Sequence, residues 1–249
     1  MLKFAAIVLI ALALVARTSE SARAEPLIAD LSDHLVAITT GFTGTELLLF
    51  GSIDQDGEVV VVVHGPRDDV IVRKKDRVGG IWINNEGMTF AGAPMFYHVA
   101  MTEDAREHLP LSVLARHQVG PENIRLVGPQ DAAETDLQRF REALVRNKQT
   151  SGLYATETSR IEMRGERLFR TLVPFPANVP VGTYVIETLL VRNGTVLSAQ
   201  TTPLFINKIG VGAEVTRFAH NYPALHGLAA IAIAVFAGLG ANWVFRKFG

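Results

Sequence analysis

Of 249 residues, 48% are hydrophobic and 20% charged, which is enough for a packed core and too apolar for a disordered chain. Twenty-four basic residues against 25 acidic ones leave a net charge of -1, a balance that argues against nucleic acid as a partner. No cysteine is present, which excludes disulfides, thiolate metal sites and cysteine nucleophiles.

The apolar residues concentrate at the two ends. Residues 1–3 form a short positive segment, 4–16 an apolar run too short to span a bilayer comfortably, and 17–21 a polar stretch. Ala22-Arg23-Ala24 follows, the small-x-small pattern of a signal-peptidase site. The expectation is a signal peptide over 1–24 with the mature chain starting at Glu25, the alternative being an uncleaved anchor. Either version sends the next domain outward.

From residue 35 onward, short runs rich in Val, Ile, Thr and aromatics alternate with Gly, Asp, Asn and Pro, the pattern of strands and turns. Candidate strands are 35–40, 46–52, 58–64, 70–73, 80–84 and 95–101. Val59 to Val63 are five valines in succession, apolar on both faces, which predicts a central strand. Asn193-Gly194 predicts a tight hairpin between strands over 183–192 and 195–202. One helix is expected over 131–147, with Asp131 as N-cap, Glu134 three residues on, and Ala133, Leu137, Phe140 and Leu144 on one face. The fold class expected is mainly β, an outer domain over 25–210 of immunoglobulin-like β-sandwich type with one inserted α-helix.

Residues 211–221 place Val211, Val215, Phe218 and Tyr222 on one helical face, as in a segment lying on a membrane surface. Residues 222–245 then carry no charge and match the thickness of a hydrocarbon core, with Tyr222 and Trp243 suited to its two interfaces. This predicts a single C-terminal transmembrane helix. Arg246 and Lys247 in the stub 246–249 put the C-terminus in the cytoplasm by the positive-inside rule, and the bulk of the chain in the periplasm. Ala230, Ala234 and Gly238 form a small-residue stripe along which a partner helix, or a second copy of the chain, can approach.

The chemistry-bearing motifs are sparse. Met95-x-x-His98-x-x-Met101 offers soft ligands for copper, but an extended backbone turns His98 away from both methionines. The other histidines show no metal-ligand spacing, and no nucleophile elbow, phosphate loop or dinucleotide fingerprint occurs. Neither a cofactor nor a catalytic residue is expected. Arg73, Lys75 and Arg77 share one face of an extended segment, positioned for an oxyanion or a lipid headgroup, although a solvated strand end is the ordinary explanation. Trp82 follows Gly79-Gly80 and is most simply a core plug, with surface docking as the alternative.

A glycine motif at Gly41 to Leu47, the valine strand ending in His64-Gly65-Pro66, and Val78-Gly79-Gly80-Ile81-Trp82-Ile83-Asn84 stand between a signal peptide and an anchor. In this layout the chain resembles the putative transmembrane protein family of alphaproteobacteria over nearly its whole length. The resemblance implies no activity or catalytic residues. It implies an accessory role beside a permease of the sulfite-exporter type, from gene neighbourhood alone.

Overall fold

The computed structural model describes residues 26–103, 105–210 and 218–248. The expected signal peptide, most of the juxtamembrane segment, and the side chains of Trp243, Arg246 and Lys247 lie outside the described residues.

Three sheets organise a mainly β chain. The first has four antiparallel strands in the order β1 (Leu27–Leu31), β3 (Gly44–Ile53), β10 (Leu168–Pro176), β9 (Glu162–Arg164). The second has six, in the order β2 (Leu35–Ile38), β12 (Thr195–Lys208), β11 (Gly182–Arg192), β4 (Glu58–His64), β7 (Tyr97–Met101), β8 (Ser159–Arg160). Its two edge strands pair in parallel, β2 with β12 and β8 with β7, and its inner pairs are antiparallel. The third sheet is a two-stranded hairpin, β5 (Arg67–Val78) with β6 (Ile81–Pro94).

Alternation along the strands explains how the first two sheets pack. Leu27, Ala29 and Leu31 of β1, and Phe169, Val173 and Phe175 of β10, join Val59, Val61, Val63, Tyr184, Ile186, Leu204 and Ile206 of the second sheet in one buried cluster. The intervening valines, Val60 and Val62, face a second core. There they meet the base of the hairpin (Val72, Met88, Phe90), Leu109, Ile124, and Phe140 and Leu144 of a helix. The valine run therefore occupies a strand between two neighbours in its sheet and covered on both faces, which is why neither parity carries a polar residue.

The covering layer contains α1 (Ala105–His108), α2 (Leu111–Arg116) and α3 (Glu134–Thr150). Tyr97, 1% exposed, ties this layer to the sheet. Its hydroxyl donates to the Gln118 carbonyl (2.6 Å) and accepts from the Gly120 N–H (2.8 Å). Tyr97→Phe leaves both backbone groups unpartnered and is expected to lower stability by about 2 kcal/mol, seen as a lower denaturant midpoint with an unchanged far-ultraviolet spectrum.

The helix at 131–147 is corrected to Glu134–Thr150. Asp131 makes no cap: the chain first turns, with the Ala132 N–H on the Pro129 carbonyl (3.4 Å), and Ala133 is the N-cap, its carbonyl accepting from Asp136 and Leu137. At the far end Gly152, at φ +71°, and the Leu153 N–H on the Lys148 carbonyl close the last turn. The Asn193-Gly194 hairpin forms as expected, with both residues at positive φ (49° and 71°). The candidate strands 70–73 and 80–84 are fragments of the much longer β5 and β6.

Past β12, residues 218–221 are helical, and α4 (Pro223–Phe248) follows for 26 residues. The Phe218 ring lies 6.0 Å from that of Tyr222, tilted at 42°, and 6.0 Å from that of His226, edge-on at 70°. Among the described residues no helix is long and apolar enough to cross a membrane.

Candidate functional site

Two places stand out: the β5–β6 arm and a cleft at the end of the sandwich.

The arm is rooted by Val72, Met88 and Phe90 in the second core, but beyond Arg73 and Gly87 almost every residue is exposed. The tip turns on Gly79 and Gly80, at φ +60° and +88°, a backbone that glycine adopts without strain. Cross-strand pairs Lys75↔Asn84 and Arg77↔Trp82 share one face, and Asp76↔Ile83 the other. An extra residue in β6 between Gly87 and Asn84 leaves β5 regular, so Arg73 keeps to the Lys75 and Arg77 face. The expected cation trio is thus assembled, exposed and on one side. Lys74 is answered by Asp76 (3.2 Å) and Glu86 (4.0 Å), whereas Arg73, Lys75 and Arg77 have no ion-pair partner among the described residues.

Trp82 requires a correction. It is 65% exposed, beside Ile81 at 70% and Ile83 at 42%, so it plugs no core. Among the described residues no layer covers the distal arm, and a large aromatic there faces solvent despite its usual preference for burial.

The cleft, ≈560 Å³, lies between Thr43 to Glu46, the start of β7, Gly152 to Ser159, and Pro174 to Pro176. His98 lines it, is 4% exposed, and its Nε2 has no hydrogen-bond partner among the described residues. Burial pushes its pKa down to about 4, which keeps the ring neutral. The lining carries Glu46 and Glu157 but no lysine or arginine. His64, whose ring is 5.5 Å from that of Tyr97, is held at about 4 by burial and then by the nearby Arg67 charge, and its Nδ1 likewise has no partner among the described residues.

The Met95, His98 and Met101 set is divided as strand alternation requires. Met101 packs with Tyr97 in the helix-side core, and Met95 receives the Lys148 ammonium at 3.4 Å. Among the described residues no group of three or more His, Asp or Glu stands in a metal-binding arrangement. The structure therefore brings Arg73, Lys75, Arg77 and Trp82 together on the arm and leaves His98 in a separate cleft. Ala230, Ala234 and Gly238 lie on exposed α4. Sequence reasoning missed the cleft: its walls come from segments far apart in the chain.

Fold and site define a β-rich domain that projects a hairpin arm and continues into a long C-terminal helix. The chain belongs to the family described as Putative transmembrane protein (Alph_Pro_TM), whose profile matches residues 26–247. Among curated proteins nothing matches.

Proposed function

We propose that this chain is a membrane-anchored periplasmic accessory protein that works by binding and not by catalysis, beside a multi-spanning permease of the sulfite-exporter type. Its outer domain is an immunoglobulin-type sandwich. Supporting that type, the order β1-β3-β10-β9 follows the A-B-E-D sheet of such folds, and β2-β12-β11-β4-β7 follows A′-G-F-C-C′, with the first strand parallel to its neighbour. Tyr184, at the start of β11, donates its hydroxyl to the Pro180 carbonyl four residues upstream (2.6 Å), the place of a tyrosine corner.

The anchor in this reading is α4 taken over its full 26 residues, with Arg246 and Lys247 on the cytoplasmic side. The Ala230, Ala234 and Gly238 stripe is the face offered to a neighbouring helix.

One observation carries the binding role: at the arm tip Ile81, Trp82 and Ile83 stand exposed beside Arg73, Lys75 and Arg77, which have no ion-pair partner among the described residues, while the cleft collects carboxylates and one neutral histidine. The competing class, an envelope enzyme or small-anion-binding protein, calls for free cations gathered in a pocket; the His98 cleft has none, and Arg160 and Arg170, which line a neighbouring pocket, are already paired with Glu103 and Glu162.

The test is a mild-detergent pull-down of the tagged full chain from its native membrane with mass spectrometry, alongside a version carrying an unrelated anchor. Stoichiometric recovery of a permease is expected, and its loss on anchor exchange assigns the contact to α4. Recovery of the chain alone would overturn the accessory role.

A further inference from the structure

We propose that the β5–β6 arm is a lipid-binding element whose tip enters the interfacial layer of a bilayer bearing anionic phospholipid headgroups. The inference rests on α4 as an anchor but not on the permease.

The first ground is the distribution of apolar side chains at the tip. Arg77↔Trp82 places Trp82 on one face of the ribbon, while Asp76↔Ile83 places Ile83 on the other, and all three of Ile81, Trp82 and Ile83 are exposed. A groove on a folded protein covers one face of a two-stranded ribbon and leaves the other wet. A fluid interface surrounds both. Tryptophan also favours that interface, where its ring sits among acyl carbons and its N–H reaches water.

The second ground is charge. Residues 71–87 contain four basic side chains, Arg73, Lys74, Lys75 and Arg77, against two acids, Asp76 and Glu86. The stretch 25–245 has 19 basic against 24 acidic residues, so outside residues 71–87, the distal arm, 15 basic residues face 22 acidic ones. The distal arm is a cationic element on an anionic body. Such a body is repelled by anionic lipid, while each cation near the surface contributes about 1 kcal/mol of attraction. Along the strand Arg77, Lys75 and Arg73 stand roughly 7, 13 and 20 Å behind Gly79. With the tip at the acyl boundary, Arg77 is level with the headgroups and the other two stand above them, Lys75 within about one screening length at physiological salt.

The third ground is placement. Pro66, immediately before the arm, packs over Gly182, which pairs with Ile206 near the end of β12. The arm is therefore rooted at the end of the sandwich from which the chain leaves for α4.

The full chain carrying Trp243→Phe has Trp82 as its single tryptophan. It is reconstituted into phosphatidylcholine vesicles with and without phosphatidylglycerol, and Trp82 emission is recorded with and without brominated acyl chains. The expected result is a blue-shifted emission quenched by bromolipid in the anionic vesicles, and loss of both in R73E/K75E/R77E, whose substitutions lie on exposed positions of the arm. A water-like, unquenched Trp82 in anionic vesicles would overturn the proposal. So would a blue shift that arises only when native membrane proteins are added, which would assign the tip to a protein partner. No permease is present in these vesicles, so failure here leaves the accessory role standing, and failure of the pull-down leaves this proposal standing.

Discussion

Lowering the pH from neutrality to about 4 is expected to remove on the order of 5 kcal/mol of stability from the outer domain, through His64 and His98. Both have folded-state values near 4 against an ordinary 6.5, His98 from burial alone and His64 from burial and then Arg67. Above 6.5 each ring is neutral whether the chain is folded or not, and pH has no leverage. Between 6.5 and about 4 the unfolded chain takes up protons that the folded chain refuses, so stability falls by about 1.4 kcal/mol per pH unit for each histidine. Below 4 both states are protonated and this slope vanishes. The loss is comparable with the whole stability of a typical domain, about 5–15 kcal/mol, so unfolding is expected near the bottom of that window. The double variant His64→Gln/His98→Gln should flatten the dependence of the denaturant midpoint on pH. An unchanged slope would place its source in other groups.

Phe169→Ala is expected to cost about 3–5 kcal/mol. Phe169 is 2% exposed on β10 and pairs across the ladder with Gly51 of β3. The glycine leaves a gap into which the ring fits: a Cβ on Gly51 would stand 2.4 Å from the Phe169 Cζ, and 2.3 Å from the Ile28 carbonyl oxygen on β1, the other neighbour of β3 in the sheet. Ring and glycine are one packing unit. Truncating the ring opens a cavity between the sheets that stiff neighbouring strands cannot close, and Gly51→Ala fails for the opposite reason, at about 1–3 kcal/mol. The two substitutions are in contact, so their combined cost, measured by equilibrium denaturation, should fall below the sum. Strict additivity would show that the ring does not sit on the glycine.

What the sequence made visible was whatever local rules decide. Five valines on both parities demanded a strand covered on both faces, and Asn193-Gly194 demanded a tight turn. The core-facing positions Leu137, Phe140 and Leu144 survived even though the helix start moved three residues, because apolar spacing outlasts an ambiguous cap. Strand β10 escaped notice because Pro174 and Pro176 interrupt it. Its alternation is nonetheless regular, and β9 pairs only as far as Arg170, so the prolines stand where the far side of β10 has no ladder to break. The arm was legible only as fragments. Charged, exposed strands carry no period-two signal, and the fate of Trp82 depends on a covering layer that the described residues do not supply. The His98 cleft was invisible for a related reason, since alternation places the ring on a face but does not say which distant segments wall it.

The pairing scheme also fixes when this domain can close as it is made. Strand β2 has its ladder partner at Phe205 to Lys208, β3 has one of its two at β10, and β4 has one of its two at β11. A nascent chain emerging N-terminus first therefore displays the valine strand, apolar on both sides, long before the strands that flank and cover it have been synthesised. During that interval it is an aggregation-prone segment. The sandwich cannot close until its last strands arrive, just ahead of α4, and slow closure after synthesis follows from such distant pairings.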